Sequence, residues 1–325
     1  MDALDVLLQN LTDDEQMLSI ARLYVLSGLE PTDLERVRVA WPLISAERRQ
    51  AVVRHLADIS EANFEVDFGL VFRLGLTDDD PDVRAAAIDG LWEEDDVKLI
   101  PTLIDLVQND AVETVRATAA GSLGRFVLAG ELEEIPVAKL EQVVEVLREI
   151  IADASETLEV RRRAVEAIGY SSAEGVSEII ADAYDDPDEL MRVSAVFAMG
   201  RSADVQWAEV ALRETESPNP EMRFEAARAS GELQNRDAVP VLARLLEDPD
   251  DQVREAAVWA LGQIGGNESR RLLTAILEDE DSDLHEPAEV ALEELEFITG
   301  DNLDLTLFEL YEDDDDDNDD ADPDA

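Results

Sequence analysis

One phrase recurs along this chain at a step of 31 residues, and that period constrains the fold more than any other feature. Arg192, Arg223 and Arg254 stand 31 apart, and His285 fills the same slot one step later. Upstream the slot holds Arg161, then Arg116 after a 45-residue step, then Arg84 after a 32-residue step. Three places past the basic residue the chain has Ala87, Ala119, Ala164, Ala195, Ala226, Ala257 and Ala288. Eight places past it come Gly124, Gly169, Gly200, Gly231 and Gly262. Self-similarity of this period specifies stacked supersecondary units, so the expected fold is an all-α solenoid.

The copy ending at Gly262 shows what a unit contains. Residues 237–246 (DAVPVLARLL) carry apolar residues at helical spacing, residues 247–251 (EDPDD) read as a turn, and residues 252–261 (QVREAAVWAL) are helical again. Gly262 is expected to end that second helix as a left-handed residue. Neither helix is long enough to stand alone in water, so each must bury its apolar face on its neighbours. The recurring Ala is expected to let second helices approach closely. Larger groups four and seven places past the basic residue, such as Val258 with Leu261, complete a stripe facing the core.

Six places before the basic slot stand Asp78, Asp110, Asp186, Asp248 and Asp279, with Ser155 and Ser217 in the other copies. Carboxylates there can accept the N–H groups that open the second helix and can pair with a guanidinium. The expectation is a structural ladder of Asp78, Asp110, Asp186, Asp248 and Asp279 with Arg84, Arg116, Arg161, Arg192, Arg223 and Arg254, closed by His285. A row of arginines binding an anion is the alternative.

The D-P-D-x-x-V-R-x-x-A-x-x-A-L-G phrase at residues 248–262 resembles the HEAT repeat, in the short variety first described for phycobilisome lyases. The resemblance covers residues 31–298. It implies a right-handed α-solenoid of about eight antiparallel helix pairs, second helices lining the concave face, and binding to other proteins.

The expected organisation follows from the repeats. Residues 1–30 read as N-terminal capping helices, with Met17, Ile20, Leu23, Tyr24 and Leu26 as their apolar stripe. Residues 31–130 hold repeats 1–3, the first of them degenerate with Arg49 near the basic slot. Residues 131–136 form an insertion loop, and residues 137–298 hold repeats 4–8. Residues 299–311 are either a C-terminal cap or a linear motif, and residues 312–325 a disordered acidic tail.

Charge excludes several functions. The chain of 325 residues carries 79 acids against 26 bases, a net charge of −53, and of the bases only Lys98 and Lys139 are lysines. An acidic surface with arginine in place of lysine resembles the proteins of salt-in halophilic archaea. At molar salt the Debye length falls to about 3 Å, which screens repulsion that would otherwise oppose the compact state. Such a surface argues against nucleic acid, which needs a basic stripe. With no cysteine there is no disulfide, thiolate metal site or thiol nucleophile. No apolar run reaches the length of a membrane span, and the N-terminal residues lack the basic flank of a signal peptide. The expectation is a cytoplasmic protein without membrane insertion.

No catalytic signature appears, so neither an enzyme nor a cofactor is expected. Deoxyhypusine hydroxylases resemble this architecture and hold two irons through four His-Glu pairs. This chain has two histidines and one such pair, His285-Glu286. Phosphate loops, HExxH and GxSxG are absent. The slot five places past the basic residue does vary from copy to copy: Asp89, Gly121, Glu166, Phe197, Arg228, Trp259 and Val290. Aromatics and arginine are the residue types of interface hot spots. Phe197, Arg228 and Trp259, joined by Phe224, are therefore the expected partner-binding residues, with core packing as the alternative for the aromatics. The leading expectation is a non-catalytic scaffold or adaptor for another protein. The chain is also similar to the haloarchaeal HEAT-repeat taxis proteins, which link chemotaxis to the archaellar motor switch, although no residue is diagnostic of them. A taxis or motor-switch protein is the partner this likeness implies. The alternative function is a lyase or isomerase acting on a tetrapyrrole-like chromophore, as in phycobilin lyases.

Overall fold

The structure, a computed structural model, describes residues 2–279 and 282–299. The segment expected as a cap or motif (residues 299–311), from residue 300 on, and the expected acidic tail (residues 312–325) lie outside the described residues. Every regular element described is helical. No described helix is long and apolar enough to cross a membrane.

The chain divides into two compact units, residues 1–202 and 203–325. Unit 1 opens with α1 (Ala3–Thr12) and the single turn α2 (Ile20–Leu23). Five helix pairs follow: α3 (Pro31–Ala40) with α4 (Ala46–Ala62), α5 (Gly69–Gly75) with α6 (Pro81–Asp89), and α7 (Ile100–Asn109) with α8 (Glu113–Glu131). The last two are α9 (Val137–Ala152) with α10 (Leu158–Ile168), and α11 (Val176–Tyr184) with α12 (Glu189–Arg201). Unit 2 has three pairs: α13 (Ala208–Glu214) with α14 (Pro220–Glu232), α15 (Val239–Leu245) with α16 (Asp251–Ile264), and α17 (Gly266–Glu278) with α18 (His285–Thr299). Within each unit the second helices pack side by side in sequence order, α4 on α6 on α8 on α10 on α12, and α14 on α16 on α18. This is the α-solenoid that the period implies.

Two local devices recur at the starts of the second helices. The carboxylate six places before the basic residue closes the turn: Asp78, Asp110, Asp186 and Asp248 accept from the backbone N–H two residues on, at 2.8, 2.9, 2.8 and 3.0 Å. The helix cap is the next polar residue. Asp80 and Asp250 accept from two N–H groups of the first turn, and Asp188 and Asn219 from one. The sequence reading gave the opening N–H groups of the second helix to the carboxylate six places before the basic residue; in the structure the residue two places on takes them.

The recurring glycines are not left-handed helix stops. Gly124, Gly200, Gly231 and Gly262 lie inside their helices, Gly169 caps α10 in the right-handed region, and none of the five has positive φ. Their role is close approach. A Cβ built on Gly169 would lie 2.7 Å from Cα of Ala198, and one on Gly231 would lie 2.9 Å from Cα of Ala260. The glycine eight places past one basic residue therefore receives the backbone of the residue six places past the next. After α14 the left-handed residue is Gln234, at φ 49°. Its N–H bonds to Gly231 O at 2.9 Å, and that of Asn235 bonds to Ser230 O at 3.0 Å, which closes the helix end without glycine. The recurring Ala serves a different interface. Ala87 faces Gly75 of its own pair's first helix, where an added Cβ would lie 2.8 Å from the Ala87 Cβ.

The N-terminal stripe also differs from expectation. Leu23 and Leu26 are buried, but Met17, Ile20 and Tyr24 are exposed, and Leu4, Leu7 and Leu11 of α1 supply the apolar face instead. The 45-residue step is absorbed mainly by long helices. α8 has 19 residues and α9 has 16, leaving a short connection at residues 132–136.

Candidate functional site

The basic slot does two jobs. First, it closes its own turn. Arg84, Arg116, Arg192, Arg223 and Arg254 each donate from Nη1 to the carbonyl six residues earlier, at 2.7–3.0 Å. A ring nitrogen of His285 lies 2.7 Å from the carbonyl of Asp279. Second, the slot ties one repeat to the next. Arg84 grips Asp110 through Nε and Nη2 at 2.8 and 2.9 Å, and Arg223 grips Asp248 at 2.8 Å through both. Arg49 joins the series by its pair with Asp78 at 2.8 Å, and Trp41 Nε1 donates to the same carboxylate at 2.6 Å. The Arg223 fork holds Asp248 below the usual carboxylate range, against the opposing effect of burial.

The ladder departs from the sequence expectation in four places. Arg116 takes Glu156 at 2.9 Å, because Ser155 in the expected slot has no charge to offer. Arg254 takes Asp283 at 2.6 Å and Asp251 at 2.9 Å, and His285 meets the carbonyl of Asp279. Arg192 holds the carbonyls of Asp186 and Pro187. Arg161 and Asp186, at the register of the Arg223–Asp248 pair, form no ion pair; Arg161 donates from Nε to Ile151 O at 3.1 Å instead.

The ladder lies at the turns, whereas the variable slots open on the exposed face of the second helices. In unit 2 they enclose a cavity of about 680 Å³. Phe224, Arg228, Trp259 and Val290 all line it, drawn from three successive second helices. Phe224 and Trp259 are partly buried against the unit's core, so each both packs and presents a face. The Arg228 guanidinium lies 4.2 Å from the Trp259 ring centroid and 3.8 Å from Glu232. Its charge is thus already engaged by a π-face and a carboxylate. The remaining charged lining is acidic: Glu255, Asp283, Glu286 and Glu294. Phe197 is not part of this cavity. It lies in unit 1 with the Arg201 guanidinium 4.9 Å from its ring.

Unit 1 has a comparable cavity of about 680 Å³, lined by Asp89, Trp92, Thr118, Ser122, Arg125 and Arg163 among others. Burial raises the Asp89 carboxyl, and Glu61 adds to the effect. Burial lowers the Arg125 guanidinium to about 10, with Glu94 opposing. Arg125 bonds Ser122 Oγ at 2.8 Å, but its Nε and Nη2 are buried without partners. This arginine falls outside the repeating slots, so no periodic signal marks it. In the basic run Arg161–Arg163, Glu159 and Glu166 engage both Arg162 and Arg163, which leaves Arg161 without an ion pair. Among the described residues no cluster of His, Asp or Glu is arranged to hold a metal ion.

Solved structures that match the chain include YibA of E. coli, at 18% identity over 87% of this chain and 99% of that one, with a TM-score of 0.44. Human deoxyhypusine hydroxylase matches at 20% identity over 90% and 96%, with a TM-score of 0.35. The CpcE–CpcF complex of phycocyanin lyase from Nostoc matches at 21% identity over 60% and 75%, with a TM-score of 0.42. No curated protein matches the chain significantly. HEAT repeats match residues 71–158 and 205–293, more than half of the sequence. With its helix pairs stacked through a recurring arginine, the chain belongs to the HEAT-repeat family.

Proposed function

We propose that this chain is a non-catalytic adaptor that holds a basic, amphipathic segment of another protein in the groove of unit 2. The observation that carries the reading is the composition of that groove. Two half-buried aromatics, Phe224 and Trp259, form an apolar floor, and Glu255, Glu286 and Glu294 form an acidic rim beside Asp283, which Arg254 already engages. An aromatic anchor inside a charged rim is the anatomy of a protein interface. Because Arg228 is spent on Trp259 and Glu232, the complementary partner is basic. In this reading the protein works in the cytoplasm of a salt-in halophilic archaeon, where its acid excess keeps it soluble. A taxis or motor-switch protein is the sharper partner we propose on the family likeness.

Cross-linking mass spectrometry of the protein with its captured partner, in molar KCl, tests the reading. Carboxylate-to-lysine cross-links should fall on Glu255, Glu286 or Glu294. Cross-links confined to unit 1 would overturn it, and a chromophore bound to the purified protein would favour the lyase alternative.

A further inference from the structure

In the ladder, Arg49, Arg84 and Arg223 each reach the turn carboxylate of the following repeat. Arg161 and Asp186 hold the same register, 25 residues apart as in Arg223 and Asp248, yet they do not pair. Between them lies a cavity of about 410 Å³, within the ordinary range of small-molecule sites. Its charged lining is divided by sign along the chain. Arg148 and Arg161 come from α9 and α10, and Asp182 and Asp186 from α11 and the turn after it. Its floor is apolar: Ile151, Val165, Ile179 and Met191.

The polar groups here are underused. The bonds of Arg161 and Arg148 go to backbone carbonyls, Arg161 to Ile151 O and Arg148 Nη2 to Glu174 O. Neither guanidinium has an ion pair within 4 Å, and Arg148 Nε is buried with no partner. Asp186 uses one carboxylate oxygen on the Asp188 N–H. A rung that could close on itself is instead held apart over an apolar floor. The ligand that restores the lost pairings has an anion for the arginines, a cation for the aspartates and an apolar body between the two.

The geometry points to a binding site for a free α-amino acid with an aliphatic side chain. Its carboxylate faces Arg161 and Arg148, its ammonium faces Asp186 and Asp182, and its side chain rests on Val165, Ile179 and Met191. One missing ion pair is thereby replaced by two charge-assisted ones. The site does not depend on the groove of unit 2.

Isothermal titration calorimetry on the full chain in molar KCl tests this with L-leucine, N-acetyl-L-leucine, L-leucinamide and glycine. L-Leucine is expected to bind. Blocking either charge, or removing the side chain as in glycine, should weaken binding about tenfold or more. Asp186→Asn, which keeps the turn bond to Asp188, and Arg161→Gln should weaken leucine similarly, while Asp248→Asn should leave it unchanged. No heat with leucine would overturn the proposal. So would equal binding of the blocked derivatives, or leucine binding unaffected by both cavity substitutions.

Discussion

Removing the carboxylate of a closed rung should cost far more than removing that of the open one. Asp248→Ala deletes two bonds of 2.8 Å to Arg223 and the turn bond to the Asp250 N–H. The pair is largely buried, with side-chain exposures of 13% and 7%. Breaking such a pair by removing one partner costs about 3–5 kcal/mol. Arg223 keeps its bonds to the carbonyls of Ser217 and Pro218, which places the expected loss near the lower end, about 3 kcal/mol. Asp186→Ala deletes only the turn bond to the Asp188 N–H, a loss of about 1 kcal/mol. Urea unfolding in molar KCl at neutral pH, followed by circular dichroism, measures both. The pH dependence gives a second check. Pairing lowers the folded-state pKa of Asp248, so its contribution is complete above the unfolded carboxylate pKa of about 3.9 and is lost as pH falls through the folded value. The gap between Asp248→Ala and wild type should therefore close in acid. Equal losses at the two positions, or a gap that does not change with pH, would refute the ladder energetics.

Three further outcomes follow from the same structure. Lowering KCl from molar to about 0.1 M should reduce the melting temperature, because a net charge of −53 is then poorly screened; a flat profile would contradict the halophilic reading. Gly231→Ala places a Cβ 2.9 Å from Ala260 Cα and should cost about 1–3 kcal/mol by thermal unfolding, since the backbone of the neighbouring helix cannot step aside cheaply. Arg125→Met removes a buried, underbonded guanidinium and should leave the melting temperature unchanged or higher, and a large drop would show that its cationic head is needed.

The period made the solenoid legible, because each slot repeats for a packing reason. The functions of individual slots were less legible. Gly231 read as a helix stop, since glycine is common after helices, but its use is contact with Ala260, and only the neighbouring helix reveals that. The ladder partners were readable where the turn carboxylate recurs, as for Arg84 and Arg223. They were not readable where Ser155 interrupts the series and Glu156 substitutes. The variable slot did single out Arg228 and Trp259, which line one cavity with Phe224. It could not show that Arg228 stacks on the Trp259 ring, and that contact changes the charge expected of a partner. Arg125 carries no periodic signal, and the broken rung at Arg161 became visible only in three dimensions.

The proposed binding face, the groove of unit 2, is tested most directly by the affinity of the captured partner for wild type, Trp259→Ala and the double variant Glu255→Lys/Glu286→Lys, measured calorimetrically in molar KCl. Truncating a hot-spot aromatic costs about 2 kcal/mol or more, so Trp259→Ala should weaken binding roughly thirtyfold. Glu255 and Glu286 are exposed, so the charge reversal should weaken binding while leaving the melting temperature in place. Unchanged affinity in both variants, with the fold intact, would contradict the account.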